Sequence, residues 1–183
     1  AAPTIGETQS ELNMGAFSAA SIADTVYTMV ETEKYTIEMT NLGAGPSRIT
    51  LKDHQTWDQQ QVQMIRNTAN SAYSLGFLSS QNFNIETDKL VFEPLTEIET
   101  IEISGDESAE VSYRLALEGD SELIFNYTFF GNQYSYNLDI RLVNMQDYIS
   151  GTNVDFGWTA ALNLTEQDRA QDAQATAAYV FAG

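Results

Sequence analysis

Apolar and polar residues alternate through most of the chain's middle. Tyr35, Ile37 and Met39 alternate with Thr36, Glu38 and Thr40, the period-two signature of a half-buried strand. The preceding stretch, Thr25 to Glu31, is rich in β-branched and aromatic residues. Gly43-Ala44-Gly45-Pro46 breaks the pattern, and Ile49 and Leu51 then alternate with Arg48, Thr50 and Lys52 on a return strand. The spacing predicts a hairpin. Residues 53–71 are polar and read as a loop around a short apolar piece, Val62 to Ile65. Tyr73, Leu75 and Phe77 alternate again, Phe83 to Phe92 suits two short strands or a strand and a turn, and Ile98 to Ile103 reads as a further strand.

The strongest signal follows. Val111, Tyr113, Leu115 and Leu117 make one alternating run, Leu123, Phe125, Tyr127 and Phe129 a second, and Tyr134, Tyr136, Leu138, Ile140 and Leu142 a third. Tight turns at Glu118-Gly119-Asp120-Ser121 and Gly131-Asn132 separate them, which predicts an antiparallel meander with one buried and one wet face. Val154 to Leu162 is more continuously apolar and predicts a central strand. One stretch, near residues 165–178, reads as a short helix or equally as a mobile connector: Thr165 stands as the helix cap, Asp168 follows three residues on, and the run is rich in Ala and Gln. Ala178-Tyr179-Val180-Phe181 suits a last strand. Residues 1–22 are small and polar and read as a flexible lead-in, leaving 23–183 as one all-β domain.

Composition narrows the function. The chain has 183 residues, of which 43% are hydrophobic, enough for one self-sufficient core. Cys is absent, which excludes disulfide scaffolds, thiol catalysis, iron–sulfur clusters and zinc sites built on Cys. Twenty-six acidic against eight basic residues give a formal charge of −18. A polyanion binds through clustered Lys and Arg, so nucleic acid is excluded as a partner, and anionic lipid is disfavoured. The acids are scattered, which reads as a solvated shell. No run approaches the ~18 apolar residues of a membrane span, so this segment is not expected to insert directly, and no signal-peptide pattern opens the chain.

Candidate chemistry is sparse. The single histidine, His54, follows Lys52-Asp53. It would be the base of a Ser-His-Asp set or, with Asp53 or Asp58, a metal ligand, but no Gly-x-Ser-x-Gly elbow exists and its place after a strand reads as an exposed turn. Carboxylate pairs are too many to be informative. The turns Ser104-Gly105-Asp106-Glu107 and Glu118-Gly119-Asp120-Ser121-Glu122 carry calcium-type ligands without EF-hand spacing, and hairpin chemistry accounts for them. Asn126-Tyr127-Thr128 and Asn163-Leu164-Thr165 match the short glycosylation pattern, the first inside a strand. Trp158 reads as core, whereas Trp57, in a polar loop, is equally a stacking platform. No catalytic residue, cofactor or metal site is assigned.

The segment from Val30 to His54, with Asn41-Leu42-Gly43-Ala44-Gly45-Pro46 at its turn and Leu51-Lys52-Asp53-His54 at its end, resembles the opening hairpin of the periplasmic domain of the bacterial membrane protein insertase YidC. Tyr127 to Ile140, closed by Asn144, is similar to that family's strand–Gly–Asn–x–Tyr–strand element, and Trp158 with Glu166 resembles its next landmark. The resemblance covers residues 25–181. Gly43-Ala44-Gly45-Pro46 stands where the family has a Gly-Gly pair. The resemblance implies an antiparallel β-supersandwich, similar to the galactose mutarotase fold. It also implies a non-catalytic role at the periplasmic face of the inner membrane, assisting insertion through Sec translocon components and nascent membrane proteins. The family's membrane helices, and the final strands of its periplasmic domain, have no counterpart before Gly183, so the chain reads as truncated at its C-terminal end. The alternatives are a carbohydrate-binding or mutarotase-like protein, with Trp57, Trp158 and nearby acids as the site, and a ligand-free adhesion or structural module.

An acidic shell of −18 repels itself, so the melting temperature should rise as salt goes from ~0.01 to ~1 M and the Debye length falls from ~30 to ~3 Å. A flat salt profile would show that the charge does not oppose folding.

Overall fold

The computed structural model describes residues 14–21, 23–65, 71–96, 98–159, 167, 168 and 170. Twelve strands occupy them: β1 Tyr27–Glu31, β2 Tyr35–Thr40, β3 Gly45–Gln55, β4 Gln61–Ile65, β5 Tyr73–Leu78, β6 Asn84–Glu86, β7 Glu93–Pro94, β8 Thr100–Glu102, β9 Ser108–Ala116, β10 Glu122–Phe130, β11 Tyr136–Val143 and β12 Asp155–Trp158. They form three sheets, ordered β4-β3-β2-β1-β8, β11-β10-β9-β7 and β12-β5-β6. All pairings are antiparallel except β1 with β8. The expected all-β sandwich is what the chain forms.

Alternation does the work it predicts. In β10, Leu123, Phe125, Tyr127 and Phe129 are buried while their neighbours are half-buried. They pack with Val111, Tyr113 and Leu115 of β9 and with Val30, Ile37 and Met39 from the five-stranded sheet. Burial of a large apolar side chain contributes roughly 1.5–3 kcal/mol, and this inter-sheet layer is the main core.

Four expectations change. Residues 53–71 do not begin as a loop: β3 runs to Gln55 and pairs with β4 across a tight turn. His54 therefore sits in a strand, exposed, and not in a turn. Within the lead-in, Gly15–Ser21 is a 3-10 helix with Phe17 1% exposed. Its ring meets Phe77 at 5.6 Å and Tyr148 at 6.3 Å, so one aromatic anchors a segment whose small residues read as loose. β12 is an edge strand, paired with β5 and exposed along its length, not a central one. The helix expected near 165–178 and the strand at 178–181 fall almost wholly outside the described residues.

A buried turn joins the sheets. Asn41 Nδ2 donates to the carbonyls of Asp24 (3.1 Å) and Phe92 (3.2 Å), and its Oδ1 accepts the Val26 N–H at 2.8 Å. Gly43 and Ala44 take left-handed angles, φ 86° and 51°. At Gly45 a Cβ would come within 2.2 Å of Ser71 Oγ and 3.1 Å of the Tyr127 hydroxyl. That hydroxyl donates to the Ala44 carbonyl at 2.7 Å, linking β10 of one sheet to the β2–β3 turn of the other.

Losing one buried hydrogen-bond partner costs about 1–3 kcal/mol. Tyr127→Phe should lower the urea unfolding free energy by that amount. Asn41→Ala, which strands three backbone groups, should lower it by about 2–4 kcal/mol. Unchanged midpoints in both would remove the turn from the account of stability.

Candidate functional site

The third meander strand is less covered than the other two. Tyr136, Leu138 and Ile140 lie on the same face as the buried residues of β10, opposite Phe129, Tyr127 and Phe125, yet they are only half-buried. Among the described residues β11 pairs with β10 alone. Its open face looks onto a groove of about 700 Å³. Ile49 and Leu51 of β3 and Met64 and Ile65 of β4 form the opposite wall. Tyr73, Phe156 and Trp158 close one end. Tyr73 packs on Phe156 at 5.4 Å and on Trp158 at 6.2 Å. The volume lies within the ~300–1,000 Å³ usual for binding clefts, and the mostly apolar lining matches that class.

The polar side chains among the described lining residues are phenols and the Ser135 hydroxyl. The Tyr73 and Tyr136 hydroxyls hydrogen-bond to each other. Tyr35 is 2% exposed, and its hydroxyl has no hydrogen-bond partner among the described residues. An unsatisfied buried hydroxyl is costly, and this one belongs to a residue that lines the groove. Burial pushes the Tyr35 phenol up to about 12, and raises Tyr73, Tyr113, Tyr127 and Tyr136 as well. None of these phenols is poised for proton transfer near neutrality.

Trp158 was expected in the core; it is 54% exposed at the groove's end, because β12 is an edge. Trp57, 60% exposed, lines a different depression on the other face of the β2-β3-β4 sheet. The two tryptophans therefore do not form one platform. The His54 ring stacks edge-on against Tyr134 at 5.7 Å, and Asp53 accepts from Lys34 Nζ at 3.3 Å. Asp58 accepts from the Thr56 hydroxyl. In the first acidic turn, Glu107 accepts the Ser104 N–H at 2.9 Å, and Asn132 Nδ2 donates to Asp106 at 3.3 Å. Among the described residues no three His, Asp or Glu side chains converge as a metal site would need. Asn126 sits within β10, its amide oxygen 2.5 Å from Ser112 Oγ, whereas Asn163 and Glu166 lie outside the described residues.

The groove itself was not read from the sequence. Its signal was present: Phe156 and Trp158 share one parity of β12, and Tyr136, Leu138 and Ile140 share one parity of β11, so each strand offers an apolar face. What no strand pattern states is whether that face is covered.

Residues 28–180 match the family described as the YidC periplasmic domain. Similar proteins include the membrane protein insertase YidC of Chlorobaculum tepidum, 27% identical over 93% of this chain, and that of Chlorobium phaeovibrioides, 28% identical over 92%. The YidC of Chloroherpeton thalassium is 24% identical over 84%. The chain spans about 29% of the length of the first two and 26% of the third. No solved structure matches it significantly.

The raised phenols fix an alkaline limit. Unfolded tyrosines lose protons near pH ~10, while the buried ones hold theirs, so their stabilising contribution is complete below that pH. It declines as pH rises toward the folded value, about 12 for Tyr35. Urea midpoints should be flat up to pH ~9 and fall above ~10, with phenolate absorbance of these five residues appearing together with unfolding. Phenolate absorbance that develops fully while the fold persists would contradict their burial.

Proposed function

Because this chain belongs to the family of YidC periplasmic domains, we propose that it is a non-catalytic periplasmic part of a membrane insertase. In this reading it stands outside the inner membrane and assists insertion and folding by holding apolar segments of nascent membrane proteins. The observation that carries the reading is the open groove between β11 and the β3-β4 wall. A segment arriving from a translocon or leaving for the bilayer exposes apolar side chains to water. A preformed apolar trough shelters them without demanding one sequence, and Met64 adds an adaptable wall.

The edge of β11 supplies the second half of the grip. The outer edge of β11 has no strand partner among the described residues, and an extended segment can pair there while alternate side chains enter the groove. The net charge of −18 favours segments flanked by Lys or Arg. Sec translocon components are the other partners that family membership brings into consideration. Among the described residues the lining of this groove holds no acidic side chain.

The test uses a fluorescent peptide of alternating Leu and Ser flanked by lysines, read by anisotropy. Leu138→Asp should weaken binding at least tenfold with the circular dichroism spectrum unchanged. Trp158→Ala, at the exposed end of the groove, should weaken it several-fold. Equal affinity in the wild type and both variants would refute the groove as the binding site.

A further inference from the structure

We infer that the opposite face of the same sheet carries a second site, for a neutral oligosaccharide, organised by Trp57. Alternation separates the two faces: Ile49 and Leu51 enter the groove, whereas Arg48 and Thr50 line a depression of about 770 Å³ on the other side. Trp57 stands on the β3–β4 turn at its border.

The turn is built to present the ring. Thr56 N–H donates to the Gln60 carbonyl at 2.8 Å, Gln59 N–H to the Thr56 carbonyl at 2.9 Å, and Gln60 N–H to Thr56 Oγ1 at 3.1 Å. The Thr56 hydroxyl is also bonded to Asp58, and Gln59 takes a left-handed φ of 63°. A tight, multiply bonded turn thus holds an indole that is 60% exposed. Exposing so much apolar surface opposes stability, and a strand connection has no need of a Trp.

The surroundings select the ligand class. Gln59, Gln60 and Gln61 line the depression together with Thr36 and Thr50. Each amide offers donors and an acceptor side by side, which matches the paired hydroxyls of a sugar, while an indole face matches the C–H face of a pyranose ring. Charge narrows the alternatives. Among the described residues lining it, the one cation, Arg48, is paired with Glu38 at 2.7 Å, and Asp58 is acidic, which disfavours an anionic ligand. An apolar peptide finds mostly amides and hydroxyls. A neutral, polyhydroxylated chain satisfies both constraints. This site is separate from the peptide groove, and neither reading depends on the other.

Calorimetry on the 183-residue chain tests it, with linear oligosaccharides of glucose and of N-acetylglucosamine as probes. Saturable binding to at least one is expected. Trp57→Ala should weaken it at least tenfold, and Gln61→Ala several-fold, while Leu138→Asp leaves it unchanged. The circular dichroism spectra should be superimposable. No heat with either series overturns the proposal, as does equal affinity in Trp57→Ala. Co-sedimentation with phosphatidylcholine vesicles that depends on Trp57, in the absence of sugar binding, overturns it in favour of a lipid contact.

Discussion

The Asn41–Pro46 turn packs beneath β10 and is held there by the Tyr127 hydroxyl on the Ala44 carbonyl. Everything else depends on this junction. A sandwich needs its two sheets in register, and apolar packing alone is non-directional. The buried phenol and the Asn41 amide add direction, because each has partners at fixed positions on separate segments. Gly43 and Gly45 have no space for a side chain, with Ser71, Asp88 and Tyr127 against them. Close approach at this end ties the β2–β3 turn to the middle of the meander.

That tight end makes the loose one meaningful. β10 is covered on both edges and on its inner face, whereas β11 has a neighbour on one edge among the described residues. The apolar parity of β11 continues past the closely packed region and becomes the wall of a groove. The same alternation in β3 turns Ile49 and Leu51 to that groove and Arg48 and Thr50 to a hydrated depression. One sheet thus carries two surfaces of opposite character.

How much of this was legible depended on the range of the interaction. The β2–β3 hairpin and the 111–142 meander follow from period-two alternation, which is local. Asn41-Leu42-Gly43 was legible as a motif, and its cause became visible only through partners such as Phe92, about fifty residues away. Phe17 was missed because one aromatic in a run of small residues gives no periodicity. Trp158 reads as core in the sequence because an apolar run states hydrophobicity and not the number of neighbours; β12 sits at an edge. His54 was placed in a turn because β3 continues through polar residues, where its pairing with β4, interrupted by register shifts, replaces pattern as the determinant. The Tyr35 hydroxyl, without a hydrogen-bond partner among the described residues, has no signature in sequence at all.

The central claim is that a locked core presents an open, bindable edge, and native-state hydrogen exchange measures both parts at once. Amides of β10 and of Gly43, Ser71 and Phe92, whose N–H groups donate across the turn, should exchange only through global unfolding. The β11 amides that point away from β10 should exchange orders of magnitude faster, and become protected when the Leu-Ser peptide is bound. If those β11 amides are as protected as β10 in the free protein, or gain nothing from the peptide, the open edge does not exist and the account fails.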